Sequence, residues 1–304
     1  MRFRTVFAGV ALASAIATPA SAADAIKIGF ITKFPVPFFA SMEDAAKEYA
    51  AANPGIELVF GQGASATDIE GQIAQIESMV TQGVQGIAIT PVDPTVATAL
   101  DAAVKAGVKV VLMDNDIPGW TNRTALATTD NYAAGKIAGE YLKSVLKGGD
   151  TLGILEGVPG VPSLDDRVNG MKEGLGGLDV KFVGGGATDC TEEKGLALAE
   201  DILTANPDLK SIYAACGPPA AGAAQAIKNA NLSGKVILVG FDFCCGEAEA
   251  LEAGIENATV AQFQKKMASL GVEALAKSIR GEKVESLIDS GAALVTKANM
   301  AEFQ

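Results

Sequence analysis

Short apolar runs alternate with amphipathic segments along almost the whole chain, and this alternation limits the folds open to it. Residues 26–31 (IKIGFI), 56–60, 86–90 and 108–113 read as buried strands. Between them, residues 38–52, 68–82 and 94–106 carry apolar positions every three or four residues, as helices do. Pro54-Gly55 ends the first helix, and Ile69, Ile73, Ile76 and Val80 share one face of the second. Strand-helix alternation predicts βαβ units and a parallel sheet covered by helices on both faces.

The pattern restarts after Arg123. Strands are expected at 126–128, 151–155, 180–183, 212–215, 236–241 and 259–262. Helices are expected at 132–146, 164–175, 192–204, 219–229, 247–253 and 265–280. Two α/β halves of a little over a hundred residues each follow one another, which predicts two domains.

Residues 110–116 (VVLMDND) end an apolar strand in Asp114, Asn115 and Asp116. A helix capped by Asp130 or Asn131 follows. Ligands of open α/β sheets sit outside the carboxyl ends of the strands, so Asp114 is a candidate ligand group. The competing reading is a polar turn after a buried strand. Gly61-Gln62-Gly63-Ala64-Ser65-Ala66 matches G-x-G-x-x-A, but it follows the second strand of its half. No acidic residue closes a strand about twenty residues on, as a dinucleotide site requires, so it reads as a turn with a helix cap.

The net charge of -12 argues against a nucleic-acid binder, and the absence of histidine removes histidine triads, bases and most zinc or haem sites. No cofactor is expected. Arg2 and Arg4, the apolar run 6–17 and Ala20-Ser21-Ala22 form an export signal cut after Ala22. Export to an oxidising compartment makes the cysteines of the mature chain candidates for disulfides.

In order along the chain stand Pro37-Phe38-Phe39 opening a helix, DNYAAGKIAGEYL at 130–142, Arg167 before a helix, and GFD at 240–242. VAQF at 260–263, GVEAL at 271–275 and RGEKV at 280–284 complete the set. Together they resemble the ribose-binding group of periplasmic sugar-binding proteins of ABC importers, over essentially the whole mature chain. The resemblance implies a type I periplasmic binding protein fold: two Rossmann-like lobes with parallel-sheet cores joined by a three-strand hinge. The N-terminal lobe would be 23–129 plus 263–291 and the C-terminal lobe 130–262 plus 292–304, with crossings near Thr129, Gln262 and Gly291.

The resemblance also maps a site. Phe38 and Phe39 would be stacking walls, and Asp114 and Asp242 hydroxyl acceptors at strand ends. Arg167 would donate from the opposite lobe, and Gln262 would donate and accept at a crossover. Arg167→Ala and Asp242→Ala are expected to abolish binding with little loss of fold. Departures from the ribose pattern fall at Thr32, Val36, Thr90, Asn115, Cys190 and Cys216, where hydroxyl, amide, guanidinium or aromatic groups are usual. They imply a ligand other than ribose, a linear polyol or modified pentose. Trp120 either replaces the lost aromatic wall or packs at the surface or hinge.

Cys190, Cys216, Cys244 and Cys245 allow three disulfide connectivities, and spacing does not choose among them. The resemblance places Cys190 and Cys216 at neighbouring strand ends and implies that they pair. Cys244 and Cys245 either bond to each other facing the ligand or stay free. The function implied is capture of a small carbohydrate or polyol in the periplasm, as a monomer, for an ABC permease in the inner membrane. A chemoreceptor- or sensor-kinase-coupled role is the alternative. A LacI-type effector domain is disfavoured by the export signal, and an Asp114/Asp242 hydrolase by the lack of a nucleophile motif.

Overall fold

A computed structural model describes residues 25–303. The export segment at 1–22 and its cleavage site lie outside the described residues. In the first half, β1 (Ile26–Thr32), α1 (Pro37–Ala52), β2 (Ile56–Gln62), α2 (Ile69–Thr81) and β3 (Gly86–Ile89) follow one another. After a 3-10 turn at Pro94–Val96 come α3 (Ala97–Lys105), β4 (Lys109–Met113) and β5 (Ala125–Thr128). The second half holds α4 (Asn131–Val145), β6 (Thr151–Glu156), α5 (Pro162–Gly174), β7 (Lys181–Ala187), α6 (Glu192–Ala205), β8 (Ser211–Ala214) and α7 (Gly217–Asn229). It continues with β9 (Ile237–Asp242), α8 (Glu247–Glu252), β10 (Ala258–Gln262), α9 (Gln264–Ile279), β11 (Leu287–Asp289) and β12 (Ala292–Val295).

These strands form two six-stranded sheets, β2-β1-β3-β4-β5-β11 and β7-β6-β8-β9-β10-β12. Every pairing is parallel except β10 with β12. The molecule is therefore two α/β lobes, and the chain passes between them three times: after β5, after β10 and between β11 and β12. The expected alternation is present, with α9 returning to pack on α1 and on β3 to β5 of the first lobe. Strands β11 and β12 were not expected. They are 3 and 4 residues long, too short for a periodicity to show, and pairing at the sheet edges makes them strands.

In each sheet the strand order reverses about its first strand, β1 or β6, which creates a crevice at the carboxyl edge. The buried Ile28, Phe30, Val111 and Met113 fix the first sheet over α1 and α9, and Ile154, Tyr213, Val239 and Phe241 the second over α4 and α5. The small-residue face of α4 has a specific role. A Cβ on Gly135 would lie 2.2 Å from the Arg167 carbonyl, and one on Gly174 2.3 Å from that of Lys136. Only glycine permits this approach, and it sets α5, with Arg167, hard against α4. Trp120 belongs to the first-lobe core, and its indole N–H donates to Asp101 Oδ1 at 2.8 Å. It does not replace a cavity wall, because the loop after β4 folds it back over α3.

Candidate functional site

The carboxyl edges of the two sheets face one another across a cavity. Its lining includes Lys33, Phe34, Phe38 and Phe39 from the first lobe, Arg167, Cys190, Cys216 and Asp242 from the second, and Gln262 at a passage between them. Asp114 and Asn115 enter from the end of β4, and Ser163 and Leu164 from the start of α5.

Backbone geometry aims the two aspartates. Asp114 and Asp242 end their strands with φ of 65° and 90°. Aspartate tolerates this left-handed region better than most residues, and such conformations persist where neighbours hold them. For Asp114 the hold is its N–H donating to Ala127 O at 2.9 Å and its carbonyl accepting from Thr128 Oγ1 at 2.6 Å. Pro37 at the first turn of α1 presets the helical φ and brings Phe38 and Phe39 in together. The rings of Phe34 and Phe38 each meet Phe39 edge-on, with centroids 5.4 and 5.2 Å away.

Arg167 is the strut of the second lobe. Its Nε donates to Asn131 Oδ1 at 2.8 Å, and Nη1 to Ala215 O at 2.9 Å and Asp242 Oδ1 at 3.2 Å. Its guanidinium carbon lies 4.0 Å from the centre of the Phe241 ring. Asp242 also accepts from Gln262 Nε2 at 2.7 Å and from the Gly217 N–H at 2.9 Å. Arg167 and Asp242 thus brace the second lobe as well as lining the cavity, which runs against the expectation that their removal spares the fold.

The groups left over line the cavity. Gln262 Oε1 is buried with no hydrogen-bond partner. The Asp114 carboxylate and Arg167 Nη2 make no hydrogen bond with a described residue. Burial pushes Asp114 above the usual carboxylate range, Lys33 and Arg167 oppose this, and Asp242 adds to it. Burial likewise lowers the Lys33 ammonium. Behind the wall, Glu247 accepts from the Cys245 N–H, and burial pushes its carboxyl up to about 7.

Ten of the twelve site positions mapped from the sequence line the cavity; Thr32 and Thr90 do not. The Thr32 hydroxyl turns into its own lobe, bonded at 3.0 Å to Glu43 and to Gln62 Nε2. Thr90 is fully buried, and the Gln72 amide donates to its carbonyl at 2.9 Å. Lys33, Phe34 and Ser163 were missed. Only the place of Lys33, directly after the first strand, could have marked it.

Cys190 is bonded to Cys216, and Cys244 to Cys245, and all four line the cavity. Across the cleft, Ser163 Oγ donates to Asn115 Oδ1 at 2.6 Å, joining α5 to the end of β4. Ser163→Ala is expected to weaken ligand affinity about three- to tenfold, through faster dissociation and with unchanged stability. An unchanged dissociation rate in stopped-flow measurements would show that this bond does not hold the cleft shut.

The chain matches the periplasmic binding protein domain family over residues 28–283. It belongs to that family. It is 33% identical over 259 residues to the D-ribose/D-allose-binding protein of Pseudomonas aeruginosa, covering 82% of this chain and 80% of that one. An ABC transporter solute-binding protein of Agrobacterium vitis, solved with bound D-fucose, superposes with a TM-score of 0.86 at 29% identity, covering 90% of this chain and 96% of its own. One from Mycobacterium smegmatis with bound glycerol gives 0.83 at 30% identity, with 91% and 96% covered. In this chain two disulfides border one cavity.

Proposed function

We propose that this periplasmic binding protein captures a small carbohydrate or polyol between its lobes and delivers it to an ABC permease in the inner membrane. The observation that carries this is the orphaned Gln262 Oε1, buried and lining the cavity together with the unpartnered Asp114 carboxylate. Buried acceptors without donors are costly, and ligand hydroxyls would satisfy them. Phenylalanine rings and sulfur supply the apolar surface that C–H faces need. The D-ribose, D-allose, D-fucose and glycerol named for the relatives support the class. In this reading the role is non-catalytic, and the carboxylates serve to accept hydroxyl hydrogens.

The lobes in this reading are 23–129 plus 263–291 and 130–262 plus 292–304, acting as a monomer after cleavage behind Ala22. Hinges near Thr129, Gln262 and Gly291 are supported by the Thr129 and Ser290 hydroxyls, 3.0 Å apart, which tie two of the three passages. The ligand-binding set is Phe38, Phe39, Asp114, Asn115, Arg167, Asp242 and Gln262 with the two disulfides.

A thermal-shift screen of the mature protein against pentoses, hexoses and C4–C6 polyols tests this. A ligand at a hundred times its Kd adds about 2.7 kcal/mol, a shift of several degrees. No shift across the panel would overturn the reading. The disulfides divide the labour differently. Cys190–Cys216 closes a separation of 26 residues, so Cys190→Ser with Cys216→Ser should cost roughly 3.5 kcal/mol in urea unfolding by loop-closure entropy. Cys244–Cys245 closes almost no loop, so its double serine variant should leave the urea midpoint alone and weaken the ligand about tenfold by loss of apolar contact. Equal midpoint losses in the two variants would refute this division.

A further inference from the structure

We infer that Lys33 is a specificity-determining residue that, with Asp114, holds a pair of adjacent hydroxyls on a neutral ligand, while the acceptors Asp114 and Gln262 make the site reject sugar acids. The inference rests on the carbohydrate reading above and narrows its ligand class.

Lys33 directly follows β1 at the carboxyl edge of the first sheet and lines the cavity. It makes no hydrogen bond or ion pair with any described residue. Asp114 and Arg167 are both close enough to act on its ammonium, the first favouring the charge and the second opposing it. Groups of both signs therefore share the cavity, and the Lys33 and Asp114 side chains have no hydrogen-bond partner among the described residues.

The backbone holds this arrangement. The Gly63 N–H donates to Thr32 O at 3.4 Å, and a Cβ at Gly63 would lie 2.5 Å from the Lys33 carbonyl. The second glycine of the G-x-G-x-x-A sequence thus lets β2 run close against the segment that carries Lys33. While Thr32 points into the lobe, bonded to Glu43 and Gln62, the next side chain is left to the cavity.

Ligand chemistry follows from the inventory of free groups. Lys33 Nζ, Arg167 Nη2 and Asn115 Nδ2 are donors, and Asp114 and Gln262 Oε1 are acceptors. Each ligand oxygen placed among them must accept from one side and donate to the other, which a hydroxyl does. A carboxylate or phosphate would satisfy Lys33 and Arg167 but would set acceptor against acceptor at Asp114 and Gln262, in a poorly solvated site. An amine would meet two cations. Adjacent hydroxyls of an uncharged polyol or sugar fit both demands.

Calorimetric titration of the mature protein with the neutral polyol or sugar giving the largest thermal shift, and with its aldonate, tests this. The wild type should favour the neutral form at least a hundredfold. Lys33→Met should lose about thirtyfold in affinity, and Lys33→Gln, which keeps a donor, should recover part of the loss. Both ligand-free variants should melt no lower than wild type. Wild-type affinity in Lys33→Met, or preference of the wild type for the aldonate, would overturn the inference while leaving carbohydrate capture standing. A wild type that binds no neutral carbohydrate would overturn the capture reading and this inference with it.

Discussion

Arg167→Ala should abolish ligand binding and also lower the unfolding free energy by about 3–5 kcal/mol, the cost of removing one partner from a buried ion pair. Arg167 is 3% exposed, and its charge is met within the second lobe by Asp242, the Ala215 carbonyl and the Phe241 ring. Removing it leaves the Asp242 carboxylate held only by the Gln262 amide and the Gly217 N–H. The space left behind adds a cavity beside α4, which glycine contacts have brought too close to relax inward. Arg167→Lys should restore little, since an ammonium does not reproduce three directed bonds and a stacked plane. Urea unfolding of the two variants, with calorimetry for binding, reads both effects. A midpoint equal to wild type in Arg167→Ala would mean that the guanidinium serves the ligand alone.

The strand and helix alternation was legible because apolar periodicity is local, and it placed the principal elements of both lobes within a few residues. The short strands β11 and β12 were not, since at 3 and 4 residues they are too brief to show a period and pairing with β5 and β10 defines them. At the site, residues at strand ends were legible: Asp114, Cys216, Asp242 and Gln262 all lie at carboxyl edges. Thr32 and Thr90 stand at such edges too, yet their side chains are buried within the lobe. One position along a strand reverses the face, and a motif resemblance does not report that reversal. Lys33 was passed over for the same reason: the position beside Thr32 was read, and its neighbour was not.

The division between scaffold and ligand contact is also a matter of partners. Both aspartates end strands in left-handed conformations and both are 7% exposed, so sequence and burial treat them alike. Their hydrogen bonds separate them. Asp242 is engaged through both carboxylate oxygens by its own lobe, while Asp114 has none from a described residue. The first lobe presents a site awaiting its donors, and the second a site already braced.

Asp114→Asn should therefore move affinity and stability in opposite directions. Affinity should fall about a hundredfold, because hydrogen bonds from ligand hydroxyls to a carboxylate are stronger than those to an amide. Ligand-free stability at neutral pH should rise by roughly 1–2 kcal/mol, since a neutral group is cheaper to leave unpaired in a buried site than a charged one. Asparagine also accepts the left-handed backbone, so the strand end is kept. The pH dependence gives the sign. Burial raises the folded-state value of Asp114 above that of the unfolded chain, so between the two values the folded protein holds the extra proton. Stability from this group is then fully present below the ordinary carboxylate range and is lost as pH rises through the raised value. Urea midpoints measured from pH 4 to pH 8 should fall less steeply in Asp114→Asn than in wild type. A less stable variant, or one with the wild-type slope, would mean that Lys33 and Arg167 already compensate the carboxylate in full, and that Asp114 is not waiting for a ligand.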